Sequence, residues 1–161
     1  MITRPATSDD VEQISALLMA NAAERGGTLY GDWSAGVVEG AIASGQLIIV
    51  AVDAERLLGV LFTSETARAS APPVVAMLKA WPGSADAYVY GPVCIDQAAR
   101  GKGVLEALYA EVTRLRPGRE AILFIKANNP RSLQAHARLG MVQVASFTLG
   151  GEAFIVLSNR G

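Results

Sequence analysis

The chain has 161 residues, 51% of them hydrophobic and 18% charged, with a formal net charge of −1. That size fits one domain, residues 1–161, with a core of its own, and the near-neutral balance offers no basic footprint for a nucleic acid or an anionic membrane surface. One cysteine, Cys94, and one histidine, His136, exclude an internal disulfide framework and argue against a metal site.

The opening "MITRPATSDDVEQ" has the pattern of neither a signal nor a transit peptide. The run "LIIVAV" is too short to cross a bilayer. The expectation is a soluble, cytoplasmic chain in a reducing compartment.

"MITRPAT" reads as a strand. A helix follows with Ser8 as its N-cap, acidic residues Asp9, Asp10 and Glu12 in its first turn, and Val11, Ile14, Leu17 and Leu18 at helical spacing. "RGGTLYGDWSAG" is a loop, and a second helix runs from about Trp33 to Ser44. "QLIIVAVD" and "LLGVLFTSE" are strands joined by the turn Asp53-Ala54-Glu55-Arg56. Residues 65–85, rich in Ala, Pro and Ser, form a long connection with one short helix around Val74–Leu78.

"AYVYGPVCI" is the next strand, interrupted by Gly91-Pro92. Val104, Leu105, Leu108, Tyr109, Val112 and Leu115 line one face of a helix that stops before Pro117-Gly118. "AILFIK" is a buried strand. "NNPRSLQAHARLG" is a helix capped by Asn129, begun by Pro130 and ended by Gly140. "MVQVASFTL" and "EAFIVLS" flank Gly150-Gly151 as a hairpin, whose edge a second copy could meet as a homodimer. The strand–helix–strand unit in the middle demands a parallel pair, and the hairpins demand antiparallel ones. The fold class is therefore mixed, α/β or α+β.

The stretch "CIDQAARGKGVLEAL" joins a strand to a helix through Arg100, Gly101, Lys102 and Gly103. A helix start carries unpartnered amides and a positive partial charge, and so suits an anion. Two glycines keep Cβ atoms away from a bulky group, and two cations add attraction. A phosphate or diphosphate fits that chemistry; a tight turn with no ligand fits it too. The P-loop pattern G-x-x-x-x-G-K-[ST] is absent, and Glu106 stands where a dinucleotide fingerprint needs its third glycine.

The same residues resemble the acetyl-CoA loop of the GNAT N-acetyltransferase superfamily, R/Q-x-x-G-x-G/A, with Arg100, Gly103 and Val104 matching and Leu105 where Gly or Ala is usual. "ITRPATSDDVEQISALL" is similar to that family's opening. "ANNPRSLQAHARLGM" is similar to its second cofactor motif, matched at Asn129, Ser132 and Gly140, with Met141 in place of Phe. The resemblance implies a mostly antiparallel sheet of about seven strands, a splayed central parallel pair and about four helices. It also implies acetyl-CoA bound in the gap of that splay as acyl donor, with no metal.

On this resemblance, the backbone of Val93, Cys94 and Ile95 pairs with the pantetheine arm, and an N–H there, at Cys94, stabilises the oxyanion. Arg100, Gly101, Lys102, Gly103, Val104 and Leu105 hold the diphosphate, and Asn129, Ser132 and His136 contact the cofactor. The implied reaction is direct attack of a primary amine of a small molecule or peptide on the thioester. A thiolate resembling cysteine, with a pKa of roughly 8.5, needs only modest acid help to leave. Gly91 stands where many members carry a Glu base, and His136 where they carry a Tyr acid. His136 is thus a candidate acid, or else a partly buried helix residue with one backbone partner. Glu65 and Asp86 are candidate bases, or else surface acids. Tyr30, Trp33 and Tyr90 are candidates for the acceptor side, with Asp32, Trp81 and Tyr88 beside them. For Cys94 the residue-level expectation is a small buried hydrophobe. The missing Glu and Tyr also admit a second reading, an acyl-CoA-binding sensor without catalysis.

Overall fold

A computed structural model of the chain describes residues 1–22 and 31–160. The strands are β1 (Ile2–Pro5), β2 (Ile48–Asp53), β3 (Arg56–Glu65), β4 (Tyr88–Ile95), β5 (Ala121–Lys126), β6 (Val142–Leu149) and β7 (Glu152–Ser158). They form a seven-stranded sheet in the order β1-β2-β3-β4-β5-β7-β6. The helices are α1 (Val11–Ala20), α2 (Ala35–Ala43), α3 (Pro72–Ala80), α4 (Val104–Leu115) and α5 (Pro130–Arg138). The described residues thus hold five helices rather than about four, and α3 is the short helix expected inside residues 65–85.

The pairings β1–β2, β2–β3, β5–β7 and β6–β7 are antiparallel. β4 and β5 are parallel, as a strand–helix–strand crossover requires, with Tyr88 opposite Ala121 and Val89 opposite Ile122. That pairing stops at Val89, whereas β4 continues to Ile95. Just beyond it, Gly91 has φ +120°, a backbone conformation that side-chain-bearing residues rarely adopt. A glutamate at this position would be strained by the backbone alone.

The chain divides into two compact units, Met1–Thr63 with Gly91–Pro117, and Ser64–Tyr90 with Gly118–Gly161. The core of the first contains Ile14 and Leu18 of α1, Val38 of α2, Val50 and Phe62 of the strands, and Cys94. Each large apolar side chain so buried contributes roughly 1.5–3 kcal/mol by leaving water. Arg4 holds both oxygens of Asp10, at 2.8 and 3.0 Å, and the Thr7 N–H donates to Asp10 Oδ2 at 2.8 Å. This carboxylate winds Ser8–Asp10 into a 3-10 turn capped by Thr7, so α1 begins at Val11 with Asp10, not Ser8, as its N-cap. The second helix likewise starts later than expected, at Ala35, because Asp32 Oδ1 accepts the Ser34 N–H (3.0 Å) and holds the preceding loop. Gln13 bridges to the hairpin: its amide donates to Glu55 O at 3.0 Å and its Oε1 accepts the Leu57 N–H at 2.9 Å.

In the second unit, Met77 of α3 packs with Ala87, Val89, Ile122 and Val156. Phe147 and Phe154 stack across β6 and β7 with centroids 4.9 Å apart. Glu120, 2% exposed, accepts hydrogen bonds from Trp81 Nε1, the Ser84 N–H and Ser158 Oγ at 2.9, 2.7 and 2.6 Å. Three donors replace the water that a buried carboxylate loses. Among the described residues no helix is long and apolar enough to cross a membrane.

Candidate functional site

In the first unit, β4 hands the chain to a short turn before α4. Asp96 leaves the strand with its N–H donating to Leu58 O (2.8 Å), and its carbonyl accepts the Ala99 N–H (2.8 Å). Its carboxylate is paired with Arg56. The turn is thus fixed at its base by backbone and charge. Gly101 and Gly103 then take φ values of +76° and +81°. Among the described residues a Cβ at either would meet no heavy atom within 4 Å, so conformation rather than crowding selects glycine.

Gly103 is the N-cap of α4 and has no side chain with which to cap that end. The first-turn amides of a helix have no intrahelical acceptor and carry partial positive charge. Gly101, Lys102 and Gly103 are exposed, Val104 is buried and Leu105 is intermediate. Arg100 donates to Asn21 Oδ1 at 3.2 Å, at the end of α1. Lys102 lines a cavity of about 200 Å³ with Arg56, Asp53 and Leu58.

Gly59 of β3 seats this turn, and sequence reasoning did not single it out. A Cβ there would lie 2.9 Å from Ile95 Cδ1, 3.0 Å from Val104 Cγ1 and 3.2 Å from the Cys94 carbonyl oxygen. The signal was available, since glycine inside a strand often marks a close approach. Val93 and Ile95 are half-buried. The Cys94 side chain is buried, and burial pushes its thiol up to about 11, with Arg100 opposing. The thiol is therefore protonated at neutral pH, and the side chain behaves as the small hydrophobe expected.

In the second unit, α5 begins as the sequence indicates. Asn129 Oδ1 accepts the Ser132 N–H at 3.3 Å, Pro130 follows, and Gly140 ends the element at φ +89°. One turn on lies His136, 2% exposed rather than partly buried. Its Nδ1 is 2.8 Å from the Ser132 carbonyl oxygen and 3.4 Å from Ser132 Oγ. Its Nε2 is 2.9 Å from the hydroxyl of Tyr90, itself 3% exposed. A carbonyl only accepts, so Nδ1 carries the proton; Nε2 is then the acceptor and Tyr90 donates. Burial lowers the imidazole's pKa and the Ser132 carbonyl opposes that shift, so His136 is neutral at pH 7. The two rings meet edge to face with centroids 5.4 Å apart. The structure thus brings together Tyr90, Ser132 and His136, which the sequence offered for separate roles.

Trp33 packs on Phe62 in the first unit's core, with centroids 5.2 Å apart, and its carbonyl accepts from Ser15 Oγ at 2.6 Å. Tyr30 lies outside the described residues. Glu65 accepts two bonds from Arg119, at 3.1 and 2.7 Å. Asp86 accepts from Ser84 Oγ at 2.7 Å and pairs with Arg160 at 3.5 Å. The Ser84 bond, with Arg160 and Arg119 nearby, holds the Asp86 carboxyl below its usual range. The lowered value makes Asp86 a weaker proton acceptor. Tyr88 lies under the Arg119 guanidinium, 5.6 Å from ring centroid to Cζ.

No protein-family model matches the chain, and no curated protein does. Solved structures match it across its length. The protein smu.2055 from Streptococcus mutans UA159 is 18% identical with a TM-score of 0.76, and 98% of each chain is covered. A ribosomal-protein-alanine N-acetyltransferase from Brucella melitensis is 17% identical with a TM-score of 0.70, again with 98% of each covered. An aminoglycoside 6'-N-acetyltransferase complexed with coenzyme A is 16% identical with a TM-score of 0.70, covering 98% of this chain and 96% of that one. The chain shares the fold of these three proteins, the last two of which are named acetyltransferases.

Proposed function

We propose that this chain is a GNAT-type N-acetyltransferase that passes the acetyl group of acetyl-CoA to a primary amine. The observation that carries the reading is the start of α4. Its N-cap is a glycine at positive φ with no side-chain cap, on a fold shared with an enzyme crystallised with coenzyme A. Fold alone does not fix activity, so the weight falls on that turn.

In this reading the amides of residues 101–105 bind the diphosphate, helped by Arg100 and Lys102. Arg100 exchanges its bond to Asn21 for the anion or keeps both. The backbone of Val93, Cys94 and Ile95 holds the pantetheine arm, and the N–H of Cys94 is the candidate oxyanion donor. The buried Cys94 thiol takes no covalent part. Asn129 spends its Oδ1 on the α5 cap and leaves its amide N–H groups for the cofactor. The acceptor is an amine of a small molecule or a peptide, the two classes acted on by the aminoglycoside and ribosomal-protein enzymes of like fold.

The test is incubation with acetyl-CoA and a panel of small amines and peptide N-termini. Release of free CoA thiol, with one acetyl group gained by an amine, is the expected result. Gly91, at a φ that strains any residue with a side chain, leaves no carboxylate at that strand position and favours one second reading: a sensor that binds acyl-CoA without turnover. CoA binding with no acetylation across the panel supports that sensor, and absence of CoA binding removes both readings.

A further inference from the structure

Resting on the CoA-binding reading above, we infer that Asn21 is a positioning residue for that cofactor. It holds the Arg100 guanidinium at the diphosphate turn and leaves the charge of that group unspent. Both residues belong to the first unit.

Asn21 closes α1 as its C-cap, with its N–H donating to Leu18 O at 3.1 Å. Leu18 is buried in the core of the unit, so the cap is anchored there. The Asn21 side chain is fixed by two further bonds. Its Nδ2 donates to Leu17 O at 2.9 Å, and its Oδ1 accepts from Arg100 Nη2 at 3.2 Å. A carbonyl only accepts and a guanidinium only donates, so the two partners together dictate which way the amide points. An ionised carboxylate cannot make both bonds, because it has no hydrogen to give Leu17. The backbone of Arg100 is set independently by the turn, where its N–H donates to Gln97 O at 3.3 Å and Gly101 follows at φ +76°. Arg100 is thus held at its root by the turn and at its tip by α1.

The partner at that tip is neutral, which separates Arg100 from other arginines of the fold. Arg4, Arg56, Arg114, Arg119 and Arg160 pair with the carboxylates of Asp10, Asp96, Glu111, Glu65 and Asp86 respectively. A carboxylate offsets the cation and competes with an incoming anion. An amide oxygen orients the guanidinium and removes none of its charge. Asn21 takes one of several N–H donors, so a fork of donors is left for phosphate oxygens. That charge lies close to the end of β4: burial raises the Cys94 thiol, and Arg100 opposes the rise. A long side chain that a ligand must order costs affinity, and here the ordering precedes binding. Arg100 touches the diphosphate; Asn21 acts through it.

The experiment is calorimetry of CoA, with pantetheine as the ligand that lacks the diphosphate. The proteins are wild type, Asn21→Ala, Asn21→Asp, Arg100→Ala and the double variant Asn21→Ala with Arg100→Ala, each with its melting transition recorded. Asn21→Ala should weaken CoA about three- to ten-fold, the range for ordering one long side chain. Asn21→Asp should weaken it further, because its carboxylate pairs with the guanidinium and repels the diphosphate. Pantetheine should stay within about two-fold in every variant. With Arg100 already replaced by Ala, Asn21→Ala should change CoA affinity by less than about two-fold, the non-additivity of a residue that acts through another. A cap with only a structural role would weaken both ligands alike, or add its full effect to that of Arg100→Ala, and either result overturns the inference. So does Asn21→Asp with wild-type CoA affinity, a variant that decides the matter if Asn21→Ala does not fold. In each of these cases a wild type that prefers CoA to pantetheine leaves the diphosphate site standing. A wild type that binds no CoA removes the site and its clamp together.

Discussion

The indole N–H of Trp81 donates to Oε2 of Glu120 at 2.9 Å. The sequence offered Trp81 as an aromatic wall for an acceptor. The ring instead packs with the core of the second unit, and its polar edge is spent on a buried carboxylate. The same carboxylate holds Ser84 and Ser158, so one side chain ties the end of α3 to β5 and β7. Glu120→Ala should therefore destabilise the fold by about 3 kcal/mol, the scale for leaving several buried donors without their charged acceptor. Urea denaturation checks this, and a change under about 0.5 kcal/mol contradicts it.

Glu120 also predicts an acid limb. Burial raises its pKa, but bonds from Ser158, Trp81 and Ser84 outweigh that and hold it below its ordinary 4.5. The bond from Arg4, against burial and with help from Thr7, holds Asp10 below 3.8. A carboxylate depressed in the folded state stabilises above its unfolded pKa, and that stability is lost as pH falls through the folded value. Thermal unfolding should be flat with respect to these two groups above about pH 5 and fall steadily below about pH 4.5. Glu120→Gln should flatten part of that fall. A melting temperature that rises between pH 5 and pH 3 runs against the assignment.

Gly59 meets the start of α4 too closely for a methyl group. Gly59→Ala places Cβ 2.9 Å from Ile95 Cδ1 and 3.2 Å from backbone oxygen. Overpacking of this kind costs about 1–3 kcal/mol. Because Val104 must shift as well, CoA affinity should drop along with stability. A variant as stable as wild type, with unchanged CoA affinity, disagrees with the packing described.

The opposite sign is expected at Ala54. It holds φ +54° in the turn between β2 and β3, where glycine is unstrained. Ala54→Gly should gain about 0.5 kcal/mol, the strain relieved less the entropy glycine loses on folding. The denaturation midpoint should rise slightly with an unchanged slope.

Cys94, with its thiol near pKa 11 and its side chain buried, should resist Ellman's reagent in native protein at pH 8. Modification should proceed no faster than unfolding. Reaction within seconds under native conditions contradicts the burial.

Much of this was legible in residues close together in the chain. Asn129, Pro130 and Gly140 bracket α5 because caps are local chemistry, and Gly101 and Gly103 mark the turn because positive φ is local too. The parallel pair followed from the length of the crossover between β4 and β5. What was not legible depends on contacts distant in sequence. Tyr90 and His136 are 46 residues apart, and no periodicity links them. Glu120 is buried by Trp81 and Ser84 of the connection after α3 and by Ser158 of β7, all more than 30 positions away in the chain. Ser8 fits a cap by residue type. Arg4 decides otherwise by drawing Asp10 back toward β1.

If the start of α4 grips a diphosphate, Gly103 is the position that reports it most directly. Asn and Asp both tolerate positive φ and differ by one charge. Calorimetry of CoA, alongside pantetheine that has the thiol arm without the diphosphate, should compare wild type, Gly103→Asn and Gly103→Asp. CoA should bind wild type at least about ten-fold tighter than pantetheine, Asn should keep most of this advantage, and Asp should abolish it. Equal affinity of CoA for all three proteins, or no preference for CoA over pantetheine in wild type, would contradict it.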